Sequence, residues 1–98
     1  MNNRELNDSS ILVKNTNFEP SILNDGSWIL YNDESGEVVV LNSTAGILWE
    51  LYSGEHTIEQ VALQLAEYYP DTTIVELRKD LYEITPMLIV KNTVSILN

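Results

Sequence analysis

The spacing of apolar residues along this chain changes near residue 42. Before it, apolar residues come in short runs broken by Asn, Asp and Gly; after it, they recur every three or four positions. The first pattern belongs to strands and turns, the second to amphipathic helices. Ile11-Leu12-Val13 predicts a first strand. Residues 14–26 hold Asn15, Asn17, Pro20, Asn24, Asp25 and Gly26, a loop composition. Ser27–Tyr31 and Glu37–Leu41 are two β-rich runs separated by Asn32-Asp33-Glu34-Ser35-Gly36, and together they predict a hairpin. Val38, Val39, Val40 and Leu41 are apolar without a break, so both faces of this strand are expected to meet apolar surroundings.

Asn42-Ser43-Thr44 offers N-cap side chains, and Ala45, Leu48, Trp49 and Tyr52 follow at helical spacing, with Ile47 and Leu51 widening the stripe. Ser53-Gly54 is expected to close this helix. Thr57 and Gln60 form a capping-box pattern ahead of Ile58, Val61, Ala62, Leu65 and Tyr69, and Pro70 stops the second helix. A third helix is expected to begin near Asp71-Thr72-Thr73, with Leu77, Leu81, Ile84 and Leu88 as its core stripe and Asn92 as its cap. Pro86 falls inside that pattern and is expected to kink or split the helix. Val94, Ile96 and Leu97 are expected to pack back on the body.

Strands followed by helices predict an α+β domain, one small sheet against a helical bundle. The chain has 98 residues, one domain's worth. At this length about 65 % of the unfolded surface can be buried, enough for one modest core. Residues 11–98 are read as that domain and the polar residues 1–10 as a frayed N-terminus. The polar start, the lack of any long apolar stretch and the absence of cysteine point to a cytoplasmic setting with no membrane span and no disulfide framework. Five Lys and Arg stand against 15 Asp and Glu, a formal net charge of −10. That balance repels nucleic acid and favours a cationic partner, or else keeps the protein soluble.

Few residues of this chain could carry chemistry. His56 is the lone histidine, and no cysteine can serve as nucleophile. Ser35-Gly36 and Ser53-Gly54 lack the glycine before serine that a nucleophile elbow needs. Asp33 and Glu34 do not have calcium-loop spacing. No phosphate-binding glycine loop and no metal set is present, so no catalysis and no cofactor are expected. Gly46, in the first turn of a helix, points to close backbone packing.

Two features remain. Val38–Leu41 is an apolar strand that must be covered if it lies at a sheet edge, either by a peptide adding to it or by the protein itself. Glu76, Asp80 and Glu83 lie at i, i+4 and i+7 beside the core stripe of the third helix. They form either a solvated face or an acidic rim that selects a basic peptide.

The succession from Glu37 to Leu51, a strand, "Leu41-Asn42-Ser43-Thr44-Ala45" and a helix, is followed by the Ser53–Val61 joint, Leu65–Tyr69 and Asp80–Ile84. It resembles the PqqD-like family, also called RiPP recognition elements, over residues from about 27 to 94. The resemblance implies a winged-helix-like fold, a three-stranded antiparallel sheet packed on a three-helix bundle. It implies a non-catalytic protein that binds the leader of a ribosomally made precursor peptide and delivers it to a separate maturation enzyme, a leader peptidase or a radical SAM enzyme. Carried over residue by residue, the leader's backbone would lie on Glu37, Val38, Val39, Val40 and Leu41. Arg78, Leu81, Tyr82 and Thr85 would form the opposite wall, and Glu76, Asp80 and Glu83 the acidic rim. Pro86 departs from the family's last helix. The small size and the Tyr31–Gly36 turn are similar to stand-alone members such as those of lasso-peptide pathways. Two other readings stay open: a winged-helix DNA-binding regulator, which the charge opposes, and a structural domain that hides its edge strand by self-association.

Overall fold

The computed structural model describes residues 6–97. Among them are six strands and three helices, in the order β1 (Ile11–Lys14), β2 (Phe18–Ile22), β3 (Trp28–Asn32), β4 (Val38–Leu41), α1 (Ser43–Leu51), β5 (Ser53–Thr57), α2 (Ile58–Ala66), α3 (Ile74–Val90) and β6 (Val94–Ile96). They make two antiparallel three-stranded sheets, β5-β1-β6 and β2-β3-β4, rather than one. The α+β class holds; the single sheet does not.

Three strands lie where none is predicted: β2, β5 and β6, the last in the Val94–Leu97 segment expected only to pack back on the body. β2 contains Pro20, which removes a ladder donor, so the segment reads as loop; it is tolerated because β2 is a sheet edge. β5 is Ser-Gly-Glu-His-Thr, with no β pattern of its own. It is a strand because β1 pairs with it, Ile11 opposite Thr57 and Val13 opposite Ser53, with an irregularity between. Gly54 therefore does not cap α1. It sits in the strand at φ 85°, a conformation that favours glycine.

The expected hairpin forms with its glycine in place. The Asn32 N–H donates to Glu37 O at 2.8 Å and the Gly36 N–H to Asn32 O at 2.7 Å, so two residues oppose one and Gly36 takes φ 77°. Asn32 Oδ1 accepts from the Glu34 and Ser35 amides at 3.0 and 3.2 Å and holds the turn closed.

The helices start on the expected caps. Asn42 accepts from Ala45 N, Thr57 and Gln60 form the reciprocal capping box, and Thr73 accepts from Glu76 N. Pro86 does not split α3, which runs as one helix from Ile74 to Val90 with Pro86 on its exposed side. Asn92 ends it at φ 62°: the Thr93 N–H donates to Leu88 O and the Asn92 N–H to Ile89 O, satisfying the last carbonyls.

The core is one cluster that takes Leu12 from β1, Trp28 and Leu30 from β3, Val39 and Leu41 from β4, and the apolar faces of all three helices. Gly46 of α1 lies directly against the Trp28 indole, with no room for a methyl group. Trp28 meets Trp49 edge to face at 6.5 Å. The Trp49 Nε1–H donates to Thr93 O at 2.8 Å, and the Tyr52 and Thr85 hydroxyls share a buried hydrogen bond of 2.7 Å. Burial pushes the Tyr52 phenol well above its ordinary range.

Of the segment expected to fray, residues 1–5 lie outside the described residues, and residues 6–10 are tied down. The Ile58 N–H donates to Ser10 O and the Glu59 N–H to Asp8 O. The Asp8 carboxylate takes two hydrogen bonds from Arg78 Nη2, at 2.9 and 2.7 Å, and one from Tyr82 Oη at 2.6 Å. These donors hold the Asp8 pKa below the ordinary carboxylate value, the Tyr82 bond most and Arg78 next. Tyr82 is raised from 10.0 to about 12, first by desolvation and then by its bond to Asp8.

Two predictions follow from this packing. Gly46→Ala will lower the urea midpoint by the equivalent of about 1–3 kcal/mol or prevent folding, because the new methyl displaces Trp28; an unchanged midpoint would mean that the indole does not lie there. Asp8→Asn will destabilise the protein at neutral pH. Because folding depresses the Asp8 pKa, its contribution is present above about pH 4 and is lost as pH falls through the folded value. The urea midpoints of wild type and variant should therefore converge once the pH lies below the folded-state pKa of Asp8. In the variant, the Tyr82 ring resonances should titrate below about 12 while staying above 10, since burial remains.

Candidate functional site

Strand order leaves four edges, β2 and β4 in one sheet and β5 and β6 in the other. Exposed edges invite pairing with another chain, and proteins blunt them with charge, proline, irregularity or brevity. β2 carries Glu19 and Pro20. β5 carries Glu55 and Gly54 and an irregular register. β6 has three residues. β4 is Val-Val-Val-Leu, four residues in regular register with neither charge nor proline.

The register fixes what this edge offers. Trp28 pairs with Leu41, Ile29 with Val40, Leu30 with Val39 and Tyr31 with Val38. The Asn32 amide bond to Glu37 starts the ladder, and hydrogen-bonded and non-hydrogen-bonded pairs alternate from there. Glu37, Val39 and Leu41 thus turn their backbone groups toward β3. Val38 and Val40 turn theirs to the open edge. Side chains alternate as well: Val39 and Leu41 are 6 % and 2 % exposed, Val38 and Val40 are 55 % and 67 % exposed. The expectation that both faces of this strand meet apolar surroundings is corrected. One face is core, and the other has no cover within the described chain.

The expected opposite wall changes more. Leu81 and Thr85 are fully buried, Leu81 in the core and Thr85 bonded to Tyr52, so neither presents a surface to a ligand. Arg78 and Tyr82 are half-buried and committed to Asp8. The contact with Asp8 also raises the Arg78 pKa. At roughly 100° per residue, Arg78 and Tyr82 lie on one flank of the Leu81 stripe, and Asp80, Ile84 and Met87 lie on the other. On that second flank Ile84 is half-buried and Met87 is 37 % exposed. Periodicity could have separated these flanks; the Asp8 partner, 70 and 74 residues away, it could not.

Glu76, Asp80 and Glu83 are all exposed on α3. Glu76 stands in the first helical turn, where a negative charge suits the helix N-terminus. His56 lies in β5. Among the described residues no group of three or more His, Cys, Asp or Glu is placed to hold a metal ion, and no helix is long and apolar enough to cross a membrane.

No curated protein matches the chain in sequence. A solved structure described as TbiB1 in complex with the TbiA(beta) leader peptide shares its fold, with a TM-score of 0.66 and 13% sequence identity over 85% of this chain and 94% of that one. The family model for coenzyme PQQ synthesis protein D (PqqD) matches residues 27–91, which take in β3, β4 and all three helices. The chain belongs to the PqqD family.

Proposed function

We propose that this protein binds the leader segment of a ribosomally made precursor peptide by adding it as a strand to β4, and presents it to a separate maturation enzyme. The observation that carries this is the unprotected β4 edge, with the backbone groups of Val38 and Val40 directed outward. Strand addition uses such an edge: main-chain hydrogen bonds supply affinity and flanking side chains supply selection. Family membership supports the reading, as does the fold shared with a protein solved in complex with a leader peptide.

In this reading Glu37–Leu41 is the receiving strand in a winged-helix-like frame, and the function is binding without catalysis. Arg78 and Tyr82 hold Asp8 and leave the opposite wall to the other flank of α3, with Ile84 and Met87 as its apolar part and Asp80 on its rim. Glu76 and Glu83 extend that acidic rim along the exposed side of the helix. With a net charge of −10, the surface steers a basic leader inward. The similarity of the Tyr31–Gly36 turn to members of lasso-peptide pathways makes a lasso-peptide enzyme the favoured recipient, with a radical SAM enzyme as the alternative.

The test uses synthetic peptides spanning the leaders of short precursor peptides found in the genome that encodes this chain, titrated by calorimetry. Trp28 and Trp49 are buried, which favours calorimetry over their fluorescence. Val40→Pro removes an amide that faces the open edge and leaves the bonds to β3 in place, so the variant should fold normally. Its affinity should fall at least about tenfold, the loss of a main-chain bond at the interface. Val39→Pro, by contrast, cuts a bond to Leu30 and should lower stability itself. A folded Val40→Pro protein with wild-type affinity would sink strand addition at β4. Raising salt from roughly 0.05 to 0.5 M should weaken binding a few-fold, and no change would remove the electrostatic part.

A further inference from the structure

The outer face of the β2-β3-β4 sheet, turned away from the helices, is built from two rows. One row is Ser21, Ile29 and Val40; the other is Glu19, Tyr31 and Val38. Tyr31, Val38 and Val40 are 43 %, 55 % and 67 % exposed, and Ile29 is partly exposed. The apolar character is lopsided. It fills the two strands nearest the open β4 edge and gives way to serine and glutamate on β2. A surface made for a partner lying flat across the sheet would be apolar over all three strands. A surface made to continue past β4 would be apolar where this one is. A second copy of the chain is disfavoured as the occupant, since each copy carries a net charge of −10.

We propose that this outer face reads the leader's sequence: two leader residues spaced i and i+2, opposite Val38 and Val40, carry apolar, β-branched or aromatic side chains that extend both rows by one strand. This rests on strand addition at β4 and adds a second reading surface to the α3 side. The register dictates the spacing. In an antiparallel addition, the leader residues hydrogen-bonded to Val38 and Val40 lie directly opposite them, two residues apart. Directly opposite side chains share a face and come within about 5 Å of each other at Cβ. Those two leader side chains therefore stand beside Val38 and Val40, over the apolar ground that Tyr31 and Ile29 continue. The leader residue between them points inward, to the α3 side. A slip of one residue would exchange the two sets, so the outer rows also fix the register.

The experiment combines leader-peptide variants with protein variants at exposed positions. Each leader residue is replaced in turn by Glu, and the peptides are titrated against wild type, Val38→Lys, Val40→Lys and Val40→Pro. The lysine variants should keep the wild-type urea midpoint. Two Glu substitutions at i and i+2 should weaken wild-type binding about tenfold or more, one being restored within about threefold by Val38→Lys and the other by Val40→Lys. Glu at the residue between them should not be restored by either. If Val40→Pro abolishes binding while the lysine variants leave the peptide preference unchanged, strand addition stands and reading by the outer face is overturned. If light scattering shows a dimer that the lysine variants convert to a monomer, the face serves a second copy and the proposal falls. If no leader peptide binds folded wild-type protein, both this proposal and the reading beneath it fall.

Discussion

The architecture depends on the close approach of Gly46 to the Trp28 indole. Trp28 belongs to the β2-β3-β4 sheet, and Gly46 lies in the first turns of α1. One turn further on, α1 turns to the other sheet. Trp49 donates to the backbone just before β6, and Lys14 of β1 sits over the Trp49 ring at 5.1 Å while pairing with Glu50 at 2.6 Å. A nine-residue helix thus serves as the common wall of two sheets that share no ladder. Any side chain at position 46 would push α1 off the first sheet and tilt Trp49 away from the second. Because β4 runs straight into α1 through the Asn42 cap, the same contact sets where the open edge lies.

Much of this was legible because local rules agreed with the tertiary result. The Asn32–Gly36 turn, the Thr57–Gln60 box, the Thr73 cap and the Asn92 terminus are each settled by the chemistry of a few neighbouring residues. What escaped was settled at long range. Ser53–Thr57 is a strand because β1 lies beside it, and Phe18–Ile22 is one despite Pro20 because its ladder partner lies on one side alone. The β-strand preferences of such segments are weak beside the pairing that surrounds them.

The same division runs through the candidate site. The apolar edge strand was readable from four apolar residues in a row, although their unbroken character suggested two buried faces where alternation leaves one exposed. The four α3 residues expected to face a ligand are buried or engaged elsewhere. Leu81 belonged to the core stripe that periodicity had already drawn, and Thr85 answers the Tyr52 hydroxyl at the C-terminal cap of α1. Arg78 and Tyr82 looked available because the carboxylate that occupies them comes from the far end of the chain.

The β5-β1-β6 sheet gathers three distant parts of the chain onto one short central strand. β1 is made first among the strands, yet its ladders need residues 53–57 and then 94–96. Contacts separated by so much sequence are slow to form, since the intervening loop must close before any bond rewards it. The β3–β4 hairpin, closed by a five-residue turn, needs no such wait. During synthesis the open edge is therefore poised early, while the sheet that fastens both ends of the domain is completed last. A nascent chain of this kind passes through a stage with its apolar edge strand already formed and its body still unlatched, the stage at which mispairing with a neighbour on the same polysome is easiest.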